Sequence, residues 1–248
     1  MAIIFAFLMF LYGVCIGSFL NVCIHRLPKG ESVVTGGSHC PSCGGKIKYY
    51  DLIPLVSWLV LGGECRLCGE KISARYPLVE LTSGVLFVIV FLRFGLSWET
   101  IYFAFLSSLL LFIAVVDGEN GIIPDGALAI AFVGGLAFNI YRGNILNYII
   151  GFFAASLILY IIALISKGGL GGGDIKMMAA FGFCIGWQNI IMALFIASLI
   201  GSAVAVWLMA VKRVGRKYAV PFAPFLSAGI FISALFGERL LTWYVGLF

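Results

Sequence analysis

Long apolar segments, each close to the length that crosses a lipid bilayer, dominate this sequence of 248 residues. A transmembrane helix needs about 20 apolar residues to cross about 30 Å of hydrocarbon. The sequence predicts eight such spans, at residues 1–24, 78–94, 99–117, 124–141, 146–166, 174–188, 189–211 and 221–237. With 62% hydrophobic and 11% charged residues, the chain has more apolar surface than a soluble globule of this size can bury. We therefore predict an all-α polytopic membrane protein.

Two of these spans have alternative interpretations. Residues 1–24 are as hydrophobic as a signal peptide, but they lack a basic N-terminal region and an evident cleavage site, so we keep them as a span. The sixth and seventh spans are separated only by the weak break at residues 186–189, which leaves their boundary open.

The basic residues are distributed unevenly between alternate loops. If the N-terminus lies outside, thirteen of the sixteen Lys and Arg residues fall on the inside: Arg26, Lys29, Lys46, Lys48, Arg66, Lys71, Arg75, Lys167, Lys176, Lys212, Arg213, Arg216 and Lys217. The outside set is Arg93, Arg142 and Arg239. Because cytoplasmic loops are enriched in Lys and Arg, this pattern predicts an outside N-terminus. The net charge of +5 thus reflects orientation, and we expect no nucleic-acid partner.

One segment, residues 25–76, breaks the apolar pattern and is predicted to be a small cytoplasmic insert between the first and second spans. It holds two Cys-x-x-Cys pairs whose four members are Cys40, Cys43, Cys65 and Cys68. Four cysteines at this spacing are typical of a tetrahedral structural zinc site. Disulfides and unrelated thiols are the alternatives, and a cytoplasmic location disfavours the disulfides.

Two acids lie at predicted span ends that face the same side of the membrane. Asp117 follows an apolar run, and Asp174 ends a glycine-rich stretch that includes Gly171, Gly172 and Gly173. Two carboxylates brought together can share one proton, so that one activates water while the other protonates a carbonyl oxygen. The residues therefore suggest hydrolysis of an amide, and glycines would let a substrate backbone approach.

Simpler structural roles compete with that interpretation. Asp174 and Asp125 could be the N-cap residues of their helices, and Asp117 could be an ordinary helix-end residue. Glu119 and Asp125 are more simply explained as capping or solvated loop residues.

Taken together, the motifs resemble those of the type IV prepilin peptidase family. The matching segments, in order, are GSFLNVCIHRLP at 17–28, the two Cys-x-x-Cys pairs, IPLVSW at 53–58, SARYPLVEL at 73–81, Asp117, IPD at 123–125, GGGDIK at 171–176 and PFAPFL at 221–226. Two positions depart from the family's usual pattern: Ala223 stands where glycine is frequent, and Leu52 where asparagine is frequent.

The resemblance implies an intramembrane aspartic protease of the bacterial cytoplasmic membrane. Asp117 and Asp174 would be its catalytic aspartates, and 171–174 its Gly-x-Gly-Asp motif. We expect the three glycines of that motif, Asp125 and Lys176 to support the active site. The implied domains are the first helix at 1–24, the zinc-binding insert at 25–76 and a protease core at 77–248.

The implied substrate is a prepilin or pseudopilin with a short basic leader. The family cuts after a glycine at the end of that leader and then methylates the new amino terminus with S-adenosylmethionine. No nucleotide-binding motif is visible in this sequence, and Glu80 and Asp51 are weak candidates for the methyl-donor site. Glu80 could instead complement the dipole of its helix or pair with Arg75.

Three other functions stay open at this point. The chain could be a leader peptidase without methyltransferase activity, a transporter with an acid-lined ion path, or a zinc-stabilised assembly factor. The acids lie at span ends and no inverted repeat is visible, which argues against the transporter. The sequence predicts neither the oligomeric state nor the particular pilin.

Overall fold

A computed structural model of the chain describes residues 1–34, 36–143, 145–166, 169–211 and 220–246. Its α-helices are α1 (Ala2–Arg26), α2 (Val56–Val60), α3 (Arg75–Phe94), α4 (Trp98–Asn120), α5 (Asp125–Arg142), α6 (Ile145–Ile165), α7 (Gly172–Ile185), α8 (Trp187–Val211) and α9 (Ala223–Val245). Within the described residues there is no β-strand, only two isolated β-bridges. The all-α prediction is therefore confirmed. Five of the predicted inside charges lie outside the described residues: Lys167, Lys212, Arg213, Arg216 and Lys217.

Six of the described helices are long and apolar enough to cross a membrane, namely α1, α3, α4, α6, α8 and α9. Large apolar side chains are exposed along these helices, as a surface in contact with lipid requires. The chain is an integral membrane protein. The count of eight spans is not confirmed, because α7 has only 14 residues. At 1.5 Å per residue it is about 21 Å long, which is shorter than the hydrocarbon core.

By its internal contacts the chain divides into two units, Met1–Ser108 and Leu109–Phe248. The domain boundaries predicted at residues 25, 76 and 77 stay predictions.

In the first unit, α1 and α3 pack closely because glycines at their contact have no side chain. A Cβ added to Gly17 would lie 2.7 Å from the Cα of Glu80, and the Ser83 hydroxyl donates a hydrogen bond of 2.6 Å to the carbonyl of Gly13.

In the second unit, the short helix α7 is enclosed by its neighbours, principally α5 and α6. Ten of its fourteen residues are buried. The backbones of α6 and α7 meet at Gly151 and Gly182, where a Cβ on either glycine would overlap the carbonyl oxygen of the other. A helix too short to cross the bilayer alone is thus fixed as the centre of this unit, and α8 packs along α9 beside it.

We predict that Gly182→Ala destabilises the protein by about 1–3 kcal/mol, because the added methyl group would collide with the backbone of α6. The control is Gly126→Ala, at an exposed position of α5 where a Cβ would have nothing within 4 Å. Thermal unfolding in detergent would compare the two variants. Equal midpoints would contradict the close contact.

Candidate functional site

The four predicted zinc ligands converge in the first unit. The Sγ atoms of Cys40, Cys43, Cys65 and Cys68 all lie within 4.8 Å of one another. The sulfurs of Cys40 and Cys68 are 3.8 Å apart, and all seven cysteines are free thiols. Four thiolates about 2.3 Å from a central zinc would be separated by nearly this distance. The set fits a tetrahedral metal site and not a pair of disulfides.

The two Cys-x-x-Cys segments have the same backbone conformation. The amide of Gly44 donates to the carbonyl of Cys40, and the amide of Gly69 donates to the carbonyl of Cys65, each at 2.9 Å. Both glycines have positive φ, 68° and 71°, which favours glycine at the tight turn. The β-bridges His39–Lys46 and Glu64–Lys71 flank these turns in the same way.

The electrostatics of the first turn favour metal binding. Backbone N–H groups of Cys43 and Ser42 lower the pKa of the Cys40 thiol to about 6. A thiolate is the form that binds zinc. The turn that presents the sulfur therefore also stabilises its charged state at neutral pH.

The second unit brings Asp117 and Asp174 together. Asp117 lies in the last turn of α4, and Asp174 is the third residue of α7. Their exposed fractions are 7% and 9%, and the two carboxyl groups interact electrostatically. Residues that are 57 positions apart in the sequence thus form one pair of buried acids at two helix ends.

Three neighbouring segments shape the surroundings of this pair. The amide of Ala223, at the start of α9, donates to Oδ2 of Asp117 at 3.3 Å. A Cβ on Gly171 would lie 3.3 Å from Oδ2 of Asp174, and one on Gly173 would lie 3.2 Å from the Cβ of Ile123. The small residues therefore leave space beside one acid and allow the IPD segment to pack against the start of α7.

The alternative that Asp174 and Asp125 are the N-cap residues of their helices is wrong. The N-cap of α7 is Gly171 and that of α5 is Pro124, and neither makes a side-chain capping bond. A Cβ added to Gly172, the first residue of α7, would have no atom within 4 Å. Asp174 is the third residue of α7, and its carboxylate accepts a hydrogen bond from the backbone amide of Gly171.

The remaining predicted support residues form a pair of their own. Lys176 Nζ donates to both carboxylate oxygens of Asp125, at 2.9 and 3.0 Å. Both side chains are mostly exposed. The pair connects the second turn of α7 to the first residue of α5, and its charges largely neutralise each other.

Glu80 and Asp51 have different surroundings in the first unit. Glu80 is buried and accepts a hydrogen bond of 2.8 Å from the amide of Leu55. It lies in the second turn of α3, which starts at Arg75, and so outside the first turn, where an acid complements the helix dipole. Asp51 accepts two hydrogen bonds from Arg66, at 2.7 and 2.9 Å, and this guanidinium holds the pKa of Asp51 below its usual value.

Three residues that make hydrogen bonds at the two sites were not identified from the sequence. Ala223 acts through its backbone amide, which no side-chain pattern indicates. Leu55 has φ of 61°, rare for a branched residue, and no local signal predicts it beyond the preceding proline. Asn21 is buried in α1 and donates to the carbonyl of Tyr76 at 3.0 Å. A polar residue within an apolar span was the signal that could have identified it.

Comparison with known proteins agrees with this division into two sites. Residues 11–94 match the model of the bacterial peptidase A24 N-terminal domain, and residues 104–206 match that of the type IV leader peptidase family. No solved structure matches the chain.

Three similar proteins carry the name prepilin leader peptidase/N-methyltransferase. The protein of Aeromonas hydrophila is 34% identical over 96% of this chain and 93% of its own length. That of Bacillus subtilis is 34% identical over 96% of this chain and 97% of its own length. That of Myxococcus xanthus is 38% identical over 86% of this chain and 66% of its own length. With similarity of this extent, and with the paired aspartates inside the matched region, the chain belongs to the type IV leader peptidase family.

Proposed function

We propose that this protein cleaves the basic leader from prepilins or pseudopilins with an aspartate pair and then N-methylates the new amino terminus. The observation that carries the proposal is the meeting of two buried carboxyl groups, Asp117 and Asp174, at helix ends within the leader-peptidase region. The names of its relatives support both halves of the reaction.

The chemistry follows from two carboxyl groups that share a proton. The ionised carboxylate takes a proton from a water molecule, whose oxygen attacks the scissile carbonyl carbon. The protonated partner donates its proton to the carbonyl oxygen. The resulting tetrahedral intermediate then expels the amine, which takes a proton from the pair. No serine, cysteine or metal is required for this hydrolysis.

We assign the roles from the helix ends. The N-terminus of α7 favours the anionic form of Asp174, whereas the C-terminus of α4 disfavours that of Asp117. The Ala223 amide acts in the opposite direction on Asp117. Asp174 is thus the base and Asp117 the acid, with the two titrating as one coupled pair.

The proposed orientation places the N-terminus outside and both the insert and the aspartates on the cytoplasmic side. A prepilin presents its basic leader on that side, before its apolar helix enters the bilayer.

We predict that Asp117→Asn and Asp174→Asn each lower leader cleavage by about 10³-fold or more, because either change removes one proton-transfer step. The control is Glu238→Gln, an exposed acid fifteen residues after the start of α9. Co-expression with a prepilin and a gel-shift assay would follow the loss of the leader. Undiminished cleavage by either aspartate variant would exclude the pair as the catalytic groups.

We also propose that the Asp125–Lys176 ion pair positions the start of α7. Lys176→Met should then slow cleavage by about two- to fivefold, which is the effect of one exposed ion pair. The charge-swapped double variant, Asp125→Lys with Lys176→Asp, should recover much of that loss. Arg239→Met, an exposed basic residue of α9, serves as the control. The measurement is the initial rate of leader cleavage, and a wild-type rate for Lys176→Met would refute the positioning role.

We also propose that the four cysteines of the insert bind a structural zinc ion. Four sulfurs complete the tetrahedron and leave no position for a reactive water. An insert of about 50 residues buries little apolar surface, so a metal would supply much of its stability.

We predict that protein purified without chelator contains about one zinc per chain, and that Cys65→Ser loses it. Limited proteolysis should then cut the insert faster, because the metal no longer joins the two turns. Cys15→Ser, at an exposed position of α1, should keep the zinc. Metal-free wild-type protein in elemental analysis would disprove the zinc site.

For the second reaction, S-adenosylmethionine supplies an electrophilic methyl group. Methyl transfer to the nitrogen of the new amino terminus would release S-adenosylhomocysteine and one proton. The three relatives described above carry the same two-activity name, which supports this reaction here as well.

A further inference from the structure

The first unit contains a cavity of about 460 Å³ that the protease reaction does not use. Its walls come from the end of α1, the insert and the start of α3, all within residues 18–80. The volume lies in the range of small-molecule and cofactor sites. The whole cavity falls inside the region that matches the N-terminal domain model, at residues 11–94.

A buried carboxylate without a cationic partner forms part of the wall. Glu80 is 8% exposed and accepts hydrogen bonds from the Leu55 amide and the Ser18 hydroxyl. Among the described residues it makes no ion pair. A buried charge is costly unless an opposite charge compensates it. A positively charged ligand in this cavity would supply that compensation.

A buried amide oxygen on the same wall has no hydrogen-bond partner. Asn21 is 3% exposed, its Nδ2 is bonded to Tyr76, and its Oδ1 is buried without a hydrogen bond. Asn21 lies one helical turn after Gly17, which contacts Glu80, and Tyr76 lies one turn before Glu80. Asn21 and Glu80 therefore lie on facing sides of the α1–α3 contact.

Asp51, the other acid considered for the methyl-donor site, differs from Glu80 because it has a cationic partner. Asp51 also lines the cavity, but both its oxygens are bonded to Arg66. Its charge is already compensated. Trp58 offers a flat apolar face in the wall, and its Nε1 is fixed by a bond of 3.2 Å to the carbonyl of Ile72. A purine can stack on such a ring.

We infer that this cavity binds S-adenosylmethionine, with Glu80 facing its positive charges and Asn21 accepting a hydrogen bond from its amino group. The inference rests on the proposed methyltransferase function and names the site for it. A ligand with a sulfonium, an ammonium group and a purine matches the unpaired carboxylate, the free acceptor and the indole face.

Binding to the purified full-length protein in detergent tests the site without requiring turnover. Equilibrium dialysis with labelled S-adenosylmethionine would compare the wild type, Glu80→Gln and Glu64→Gln. Glutamine keeps the shape of Glu80 and an acceptor for Leu55, but it removes the charge. We expect Glu80→Gln to weaken binding by about 10- to 100-fold. Glu64→Gln, an exposed acid of the insert outside the cavity wall, should bind as the wild type does.

A thermal-unfolding midpoint in detergent equal to that of the wild type would show that Glu80→Gln is folded, and leader cleavage at the wild-type rate would show that its protease site is intact. Ultraviolet cross-linking of the bound ligand, followed by peptide mass spectrometry, should label residues between 18 and 80. Unchanged affinity of Glu80→Gln, or a label only in the second unit, would overturn the assignment while the methyltransferase function stands. Failure of the wild type to bind S-adenosylmethionine or to methylate a cleaved pilin would instead overturn that function, and the site with it.

Discussion

The contact between the backbones of α6 and α7 fixes the position on which the proposed protease site depends. Because Gly151 and Gly182 carry no side chains, the two helices meet with little freedom to slide or rotate. The helix α7 is buried over most of its length although it is too short to cross the bilayer. A carboxylate in its first turn, Asp174, is therefore held by a rigid element, which is what a proton-transfer geometry needs.

The two proposed reactions rest on separate sets of contacts. The aspartate pair is held by α4, α7 and the start of α9, whereas the cavity is formed by α1, the insert and α3. The two family models divide the chain at nearly the same place, near residue 100. A variant changed only in the methyl-donor cavity should therefore keep its leader-cleavage activity.

Sequence patterns predicted the features that depend on local spacing. Apolar runs predicted the helices, and the repeated Cys-x-x-Cys turns predicted the sulfur cluster, whose convergence the structure confirms. Contacts between distant residues were not accessible in this way. The Leu55–Glu80 and Ala223–Asp117 bonds join residues 25 and 106 positions apart, and the backbone donates in both. The buried position of α7 was also missed, because an apolar helix enclosed by protein and one facing lipid have the same composition.

Compensation of charge distinguishes the acids of this protein from one another. In water an unpaired carboxylate costs little, but in a membrane protein its burial must be offset by a cation, by hydrogen bonds or by a proton. Asp51 has Arg66 and Asp125 has Lys176, so both are explained by the pairs they form. The two catalytic candidates interact electrostatically with each other, and in the proposed mechanism a shared proton would offset their repulsion. Glu80 accepts two hydrogen bonds but makes no ion pair within the described part of the chain, and the ligand that we propose for the cavity would bring a positive charge to it.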